Sequence, residues 1–107
     1  MFDNLTIDRN GNLLIQEDPG NQDHLARIWQ YTPSSDALKL IAEHSAVYFG
    51  AGSPSLLTRD EESSGIIDAS SILGRGWFLL DSEAHYPNGT ELVEGGQLLA
   101  LFNPDSQ

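Results

Sequence analysis

Arg27-Ile28-Trp29-Gln30-Tyr31-Thr32-Pro33-Ser34-Ser35 and Leu98-Leu99-Ala100-Leu101-Phe102-Asn103-Pro104-Asp105-Ser106 decide how this chain reads. Each is a short aromatic and aliphatic run that stops at a proline, with a serine two residues on. Proline removes a ladder donor and so ends a strand. Working upstream, the first unit reads as a meander. Leu5-Thr6-Ile7-Asp8 is β-rich, and Asn10-Gly11 after Arg9 is the dipeptide of a tight hairpin. Asn12-Leu13-Leu14-Ile15-Gln16 returns, and Pro19-Gly20 breaks the chain. Ala26 to Tyr31 is the third strand, and Pro33-Ser34-Ser35-Asp36 is a turn. Ala37 to Ala42 is the fourth strand. A helix over Asp36 to His44, capped by Asp36, is the rival. The short turn and the three preceding strands favour the strand.

The second unit repeats this order. Gly65-Ile66-Ile67-Asp68 echoes Leu5-Thr6-Ile7-Asp8, and Trp77-Phe78-Leu79-Leu80-Asp81 echoes Asn12 to Gln16. The spacing between partners grows along the chain, so loops are inserted in the second unit. Asp68 to Ser71 adds a helical turn with Asp68 as its cap. Repeated units of four short strands are the pattern of propeller blades. The expected fold is therefore all-β: antiparallel four-stranded blades of a β-propeller, just under two in this chain. Residues 1–44 form the first blade and residues 60–107 the second, incomplete one. An ordinary antiparallel sandwich is the alternative.

Composition narrows the partners. Against 16 acidic residues stand 5 Lys plus Arg, a formal net charge of -11. That charge repels phosphate backbones and anionic lipid, so neither nucleic acid nor a membrane is expected. It suits a polyvalent cation. There is no cysteine, hence no disulfide and no thiolate ligand. No stretch approaches the ~20 apolar residues of a membrane helix. Met1-Phe2-Asp3-Asn4 has no signal-peptide character. A cytoplasmic location is expected for the chain as written.

Propeller geometry predicts a site. The loops entering each innermost strand and those joining second to third strands share one rim. Asp3 and Asn4, Glu17 and Asp18, Asp60 to Glu62, and Asp81, Glu83 and His85 would converge there. Hard cations take several oxygen ligands at short range. Asp3, Asn4 and Glu62 are the leading candidate ligands, with Glu17, Asp18 and His85 weaker ones. Asp8, Asp68 and Asp18-Pro19-Gly20 also read as turn residues. Asn4-Leu5-Thr6 and Asn88-Gly89-Thr90 match the glycosylation triplet, without an export signal. There is no nucleophile elbow, P-loop or H-E-x-x-H.

Several of these stretches resemble the PhoX-type alkaline phosphatase family, a bacterial β-propeller family. They are Phe2 to Asp8, Gly11 to Gly20, Glu62-Ser63-Ser64-Gly65-Ile66-Ile67, and Gly76 to Asp81 with Ala84-His85. The likeness is to the C-terminal part of that family. It implies a channel holding calcium and iron ions that activate phosphomonoester hydrolysis. By motif position, Asp3 and Asn4 would fall on one metal-binding inner strand and Glu62 on another. Glu17, Asp18 and His85 align with the rim without an assigned role. The family's phosphate-binding arginine and its iron-binding cysteine have no counterpart. Arg27, Arg59 and Arg75 sit in no matching motif. The resemblance thus implies the C-terminal fragment of a metal-dependent phosphatase-like propeller. It would be inactive alone, act on phosphate esters when complete, and be periplasmic or extracellular if exported. The alternative function is a non-catalytic cation-binding or assembly module. Trp29, Tyr31, Trp77, Phe78 and Phe102 supply more apolar surface than two blades cover. The chain is therefore expected to form a homo-oligomer or to join the remaining blades of a longer chain.

Overall fold

The computed structural model describes residues 1–20, 24–89 and 93–107. The glycosylation triplet ending at Thr90 therefore lies partly outside the described residues. The fold is all-β, in two antiparallel meanders. Strands β1 (Phe2–Ile7), β2 (Leu13–Glu17), β3 (Arg27–Thr32) and β4 (Ala37–Glu43) form a four-stranded sheet in chain order. Strands β5 (Glu61–Asp68), β6 (Trp77–Pro87) and β7 (Glu94–Phe102) form a three-stranded one. Neither closes on itself among the described residues.

Local chemistry explains the turns. Gly11 takes φ +82° between β1 and β2, a conformation that favours glycine. Asp8 organises that turn. Its carboxylate accepts from the backbone N–H groups of Asn10 and Asn12, each at 2.8 Å, and from Asn12 Nδ2 at 2.8 Å. Between β3 and β4, Asp36 adopts φ +52° and accepts a 2.9 Å hydrogen bond from Tyr31 Oη. Asp36 is thus a turn residue leading into a strand, and the helix over residues 36–44 does not form. The turns Thr32 to Ser35 and Asn103 to Ser106 close with the same i→i+3 bond, at 3.2 Å and 3.0 Å. This is the physical content of the shared Pro and Ser.

Two four-residue helices decorate the sheets. Helix α2 (Ser70–Leu73) starts two residues after Asp68, whose carboxylate accepts from Ser70 N at 2.7 Å. The expected helical turn is therefore present, with Ala69 rather than Asp68 at the cap position. Helix α1 (Ala46–Phe49), capped by Ser45, was not expected. One turn carries too little periodicity to read from sequence.

The two halves of the echo are out of step by one residue. Leu13 lies opposite Tyr31, whereas Trp77 lies opposite Phe102. The echo pairs Tyr31 with Phe102 but Asn12 with Trp77. A one-residue offset exchanges the faces of a strand.

The faces can be followed from the backbone. Asp8 N donates to Asn12 O, so Asn12 and then Leu14 turn their peptide groups toward β1. Ala69 N donates to Trp77 O, so Trp77 turns toward β5 and Phe78 toward β7. In L-residues, opposite peptide directions mean opposite side-chain faces. Leu14 and Phe78 nevertheless meet in one core, with Ile28, Ile66 and Leu80. The front of the first sheet, defined by Leu14, thus packs on the back of the second.

Polar groups set the register of this stacking. Gln16 donates to Ser64 O at 3.2 Å and accepts from Ile66 N at 3.3 Å, at the bulge of β5. Asn103 Nδ2 donates to Gln30 Oε1 at 2.7 Å, and Ser106 Oγ donates to Asp8 Oδ2 at 2.7 Å. Two faces are left outside. The back of the first sheet carries the ladders Leu5–Ile15–Trp29–Leu40 and Ile7–Leu13–Tyr31–Leu38. The front of the second carries Ile67–Leu79–Ala100 and Trp77–Phe102.

Candidate metal centre

Glu62 sits on β5 directly opposite Glu83 on β6, and His85 follows two residues later on the same face. One ligand atom from each of Glu62, Glu83 and His85 lies within 4.8 Å of the others. Directly opposed like charges are unfavourable in a sheet. The pair is held because Glu61 to Ser64 zip onto Ser82 to Ala84 and Asp81 in a continuous ladder. Burial, the charge of Asp18 and the neighbouring Glu83 push the Glu62 carboxyl up to about 7. Near neutral pH the Glu62 carboxyl thus exchanges its proton readily, and a cation would favour its ionised form.

His85 is raised by its hydrogen bond to Glu94, Nδ1 to Oε2 at 2.6 Å. A carboxylate on one ring nitrogen orients an imidazole and raises its basicity toward a ligand on the other. Asp81 lies on the same face of β6, and its Oδ1 is buried without a hydrogen-bond partner. A Cβ on Gly65, which has φ +60°, would stand 3.2 Å from that oxygen. Glycine there lets β5 close over the Asp81 carboxylate.

The other expected ligands have separate duties. Asp18 stands beside Glu62, and its Oδ1 also accepts from Gly20 N at 3.1 Å, as a turn residue does. Its backbone bonds Met1 in both directions, at 2.6 Å and 2.8 Å. Glu17 accepts from Trp29 Nε1 at 2.8 Å and pairs with His24 at 3.1 Å. Asn4 donates to Asp3 at 2.7 Å and to Ser64 Oγ at 3.1 Å. The structure therefore gathers Glu62 and His85 with Glu83, adds Asp18 at the flank, and leaves Asp3, Asn4 and Glu17 outside the three-residue group.

Comparison with protein-family models, curated proteins and solved structures finds no match. The donor set must therefore speak through its chemistry. Carboxylate oxygens suit calcium, and the imidazole suits a transition ion such as iron. Both fit the residues present, and Asp81 Oδ1 supplies an uncommitted oxygen on the same face. Glu83 was the member that sequence reasoning did not rank as a ligand. Its signal lies in the pairing Glu62↔Glu83, which a sequence does not display. No helix among the described residues is long and apolar enough to cross a membrane.

Proposed function

We propose that this chain is a pair of β-propeller blades whose acidic rim holds a divalent metal ion. Calcium is the leading ion and iron the second. The observation that carries this reading is Glu62, wedged between Asp18 and Glu83 with its carboxyl pushed up to about 7. A cation replaces the repulsion with shared coordination. Glu62, Glu83 and His85 would hold it, with Asp18 at the flank. The ion would supply Lewis acidity toward an anionic oxygen. Phosphomonoester hydrolysis, implied by the family resemblance, also needs cationic groups for the phosphoryl oxygens. Arg27 is engaged by Glu43 at 2.7 Å and lies 6.0 Å from the Trp29 ring. The isolated chain is thus a metal-holding unit, with turnover belonging to a complete ring. Calorimetry with calcium at pH 7.5 tests this. Binding that Glu62→Gln weakens at least tenfold supports it, and no heat up to millimolar calcium refutes it.

Front-to-back stacking favours an assembly role for the same unit. A propeller repeats one stacking operation around an axis, front of one blade on back of the next. This chain performs it once and leaves one back and one front on its outside, the back apolar and the front apolar at Ile67, Leu79 and Trp77 but acidic at Asp81, Glu83 and Glu62. Strands of about six residues at ~3.3 Å and four strands at ~4.8 Å give a face of about 380 Å². Each head-to-tail contact covers one such face per partner, about half of a standard interface's ~800 Å², so a ring depends on the two contacts each copy makes together. The acidic charge opposes this contact but is screened beyond about 8 Å. Head-to-tail copies closing into a ring are the proposed assembly.

A further inference from the structure

Between the sheets, on the opposite side of β5 and β6 from the acidic cluster, lies a second, largely apolar feature. A cavity of about 530 Å³ opens beside β4 and β7 and reaches inward to Leu80 and Ala84. Small-molecule sites fall in the range of about 300–1,000 Å³, with mostly apolar walls and a few placed polar groups. Ile28, Leu99 and Leu101 supply the apolar wall here.

Its polar lining includes Glu43, Ser45, Tyr48, Tyr86 and Gln97, and three further groups that face one another. Ser63 and Ser82 both line the cavity, as does His44. The two serines lie directly opposite each other across β5 and β6. Their Cβ atoms are thus about 4.5–5.5 Å apart. Ser82 is already engaged: its Oγ lies 2.8 Å from His44 Nε2. His44 Nδ1 lies 3.2 Å from the Ala26 carbonyl, which can only accept. Nδ1 therefore carries the ring proton, and in the neutral ring Nε2 accepts from the Ser82 hydroxyl. Ser82 is left with acceptor capacity toward the cavity. Ser63 is 2 % exposed, and its Oγ has no hydrogen-bond partner. A buried hydroxyl without a partner destabilises the fold, so an orphan calls for an explanation.

We infer that this cavity is a binding site for a small, neutral, apolar molecule bearing a hydroxyl group, which accepts from Ser63 and donates to Ser82. One hydroxyl has both capacities and spans two serines on adjacent strands. The net charge of -11 disfavours an anionic ligand such as a fatty acid. The site is independent of the metal reading, since Ser63 and Ser82 face the opposite side of their strands from Glu62 and Glu83.

The test uses the full chain without added metal, titrated with 2-naphthol and with naphthalene and followed by calorimetry and by amide shifts in NMR. Naphthol should bind at least about fivefold tighter than naphthalene, the ratio of one net hydrogen bond. Shifts should centre on Ser63, Ser82 and Leu99. Ser63→Ala removes an unsatisfied group, so it should fold well and lose most of the naphthol preference, keeping only what the bond to Ser82 supplies. Leu99→Trp, which fills the cavity, should bind neither. Absence of binding by the wild-type chain overturns the inference. So does a naphthol preference undiminished in Ser63→Ala, or wild-type binding by Leu99→Trp.

Discussion

Asp8→Ala is expected to be among the most destabilising single changes in this protein. Its carboxylate accepts four hydrogen bonds, from Asn10 N, Asn12 N, Asn12 Nδ2 and Ser106 Oγ, all between 2.7 and 2.8 Å. Burial pushes the carboxyl up, but the bonds from Ser106, Asn12 and the turn backbone outweigh it and hold its pKa below the ordinary value. Hydrogen bonds to a charged group contribute about 1.5–3 kcal/mol each, and bonds sharing one acceptor are not additive. Removing the set should therefore lose about 3–4 kcal/mol, a large fraction of the ~5–15 kcal/mol that stabilises a domain. Urea unfolding followed by tryptophan fluorescence measures it. The sign with pH follows from the lowered pKa. The stabilisation is fully present above the unfolded carboxyl value, ~3.9, and is lost as pH falls through the lower folded value. Asp8→Ala should accordingly be less sensitive to acid than the wild type. A cycle with Ser106→Ala isolates the bond between the sheets, with a coupling of about 1–2 kcal/mol. A loss below about 1 kcal/mol for Asp8→Ala, or strict additivity with Ser106→Ala, would refute the reasoning.

Glu62 should behave in the opposite sense. Its folded pKa is raised to about 7, so without metal the fold weakens as pH rises through neutrality. Glu62→Gln should then stabilise the metal-free chain at pH 8 by about 1–2 kcal/mol, an advantage that saturating calcium removes. For assembly, Leu40→Glu blocks only the back of the first sheet and Leu98→Glu only the front of the second. Each alone should be monomeric by light scattering, and a mixture should give a dimer of about twice 11.7 kDa. A wild-type chain that stays at 11.7 kDa at tens of micromolar counts against the ring. Gly65→Ala should lose about 1–2 kcal/mol in thermal unfolding, because the residue has φ +60° and its Cβ would crowd Asp81.

The sequence was most readable where burial and alternation agree. Leu13 to Gln16 and Arg27 to Tyr31 became strands close to their expected limits. Asn10-Gly11 made its hairpin. The reading fell short where the layer between the sheets is polar. β5 begins at Glu61, four residues before the expected Gly65, and β6 runs on to Pro87 rather than ending at Asp81. Glu61, Ser63 and Ser82 look like a solvated loop in sequence, yet all three are buried. Alternation of apolar residues cannot reveal a strand whose inward side chains are polar. The site was half readable for a related reason. Glu62, Glu83 and His85 all read as rim residues, but only the strand register shows Glu83 opposite Glu62 and so ranks it as a ligand. Glu17 was drawn away by Trp29, whose indole N–H needs an acceptor when buried.

The bond from Ser106 to Asp8 joins residues 98 apart in the chain. Every strand pairing in both sheets is between neighbours in sequence, so each meander closes small loops and forms quickly. The Ser106–Asp8 bond closes almost the whole chain at once, and the entropy of that large loop is recovered only after both sheets exist. It belongs to the last stage of folding and the first of unfolding. Its strength therefore sets how long the native state survives between openings, while leaving the speed of folding nearly untouched.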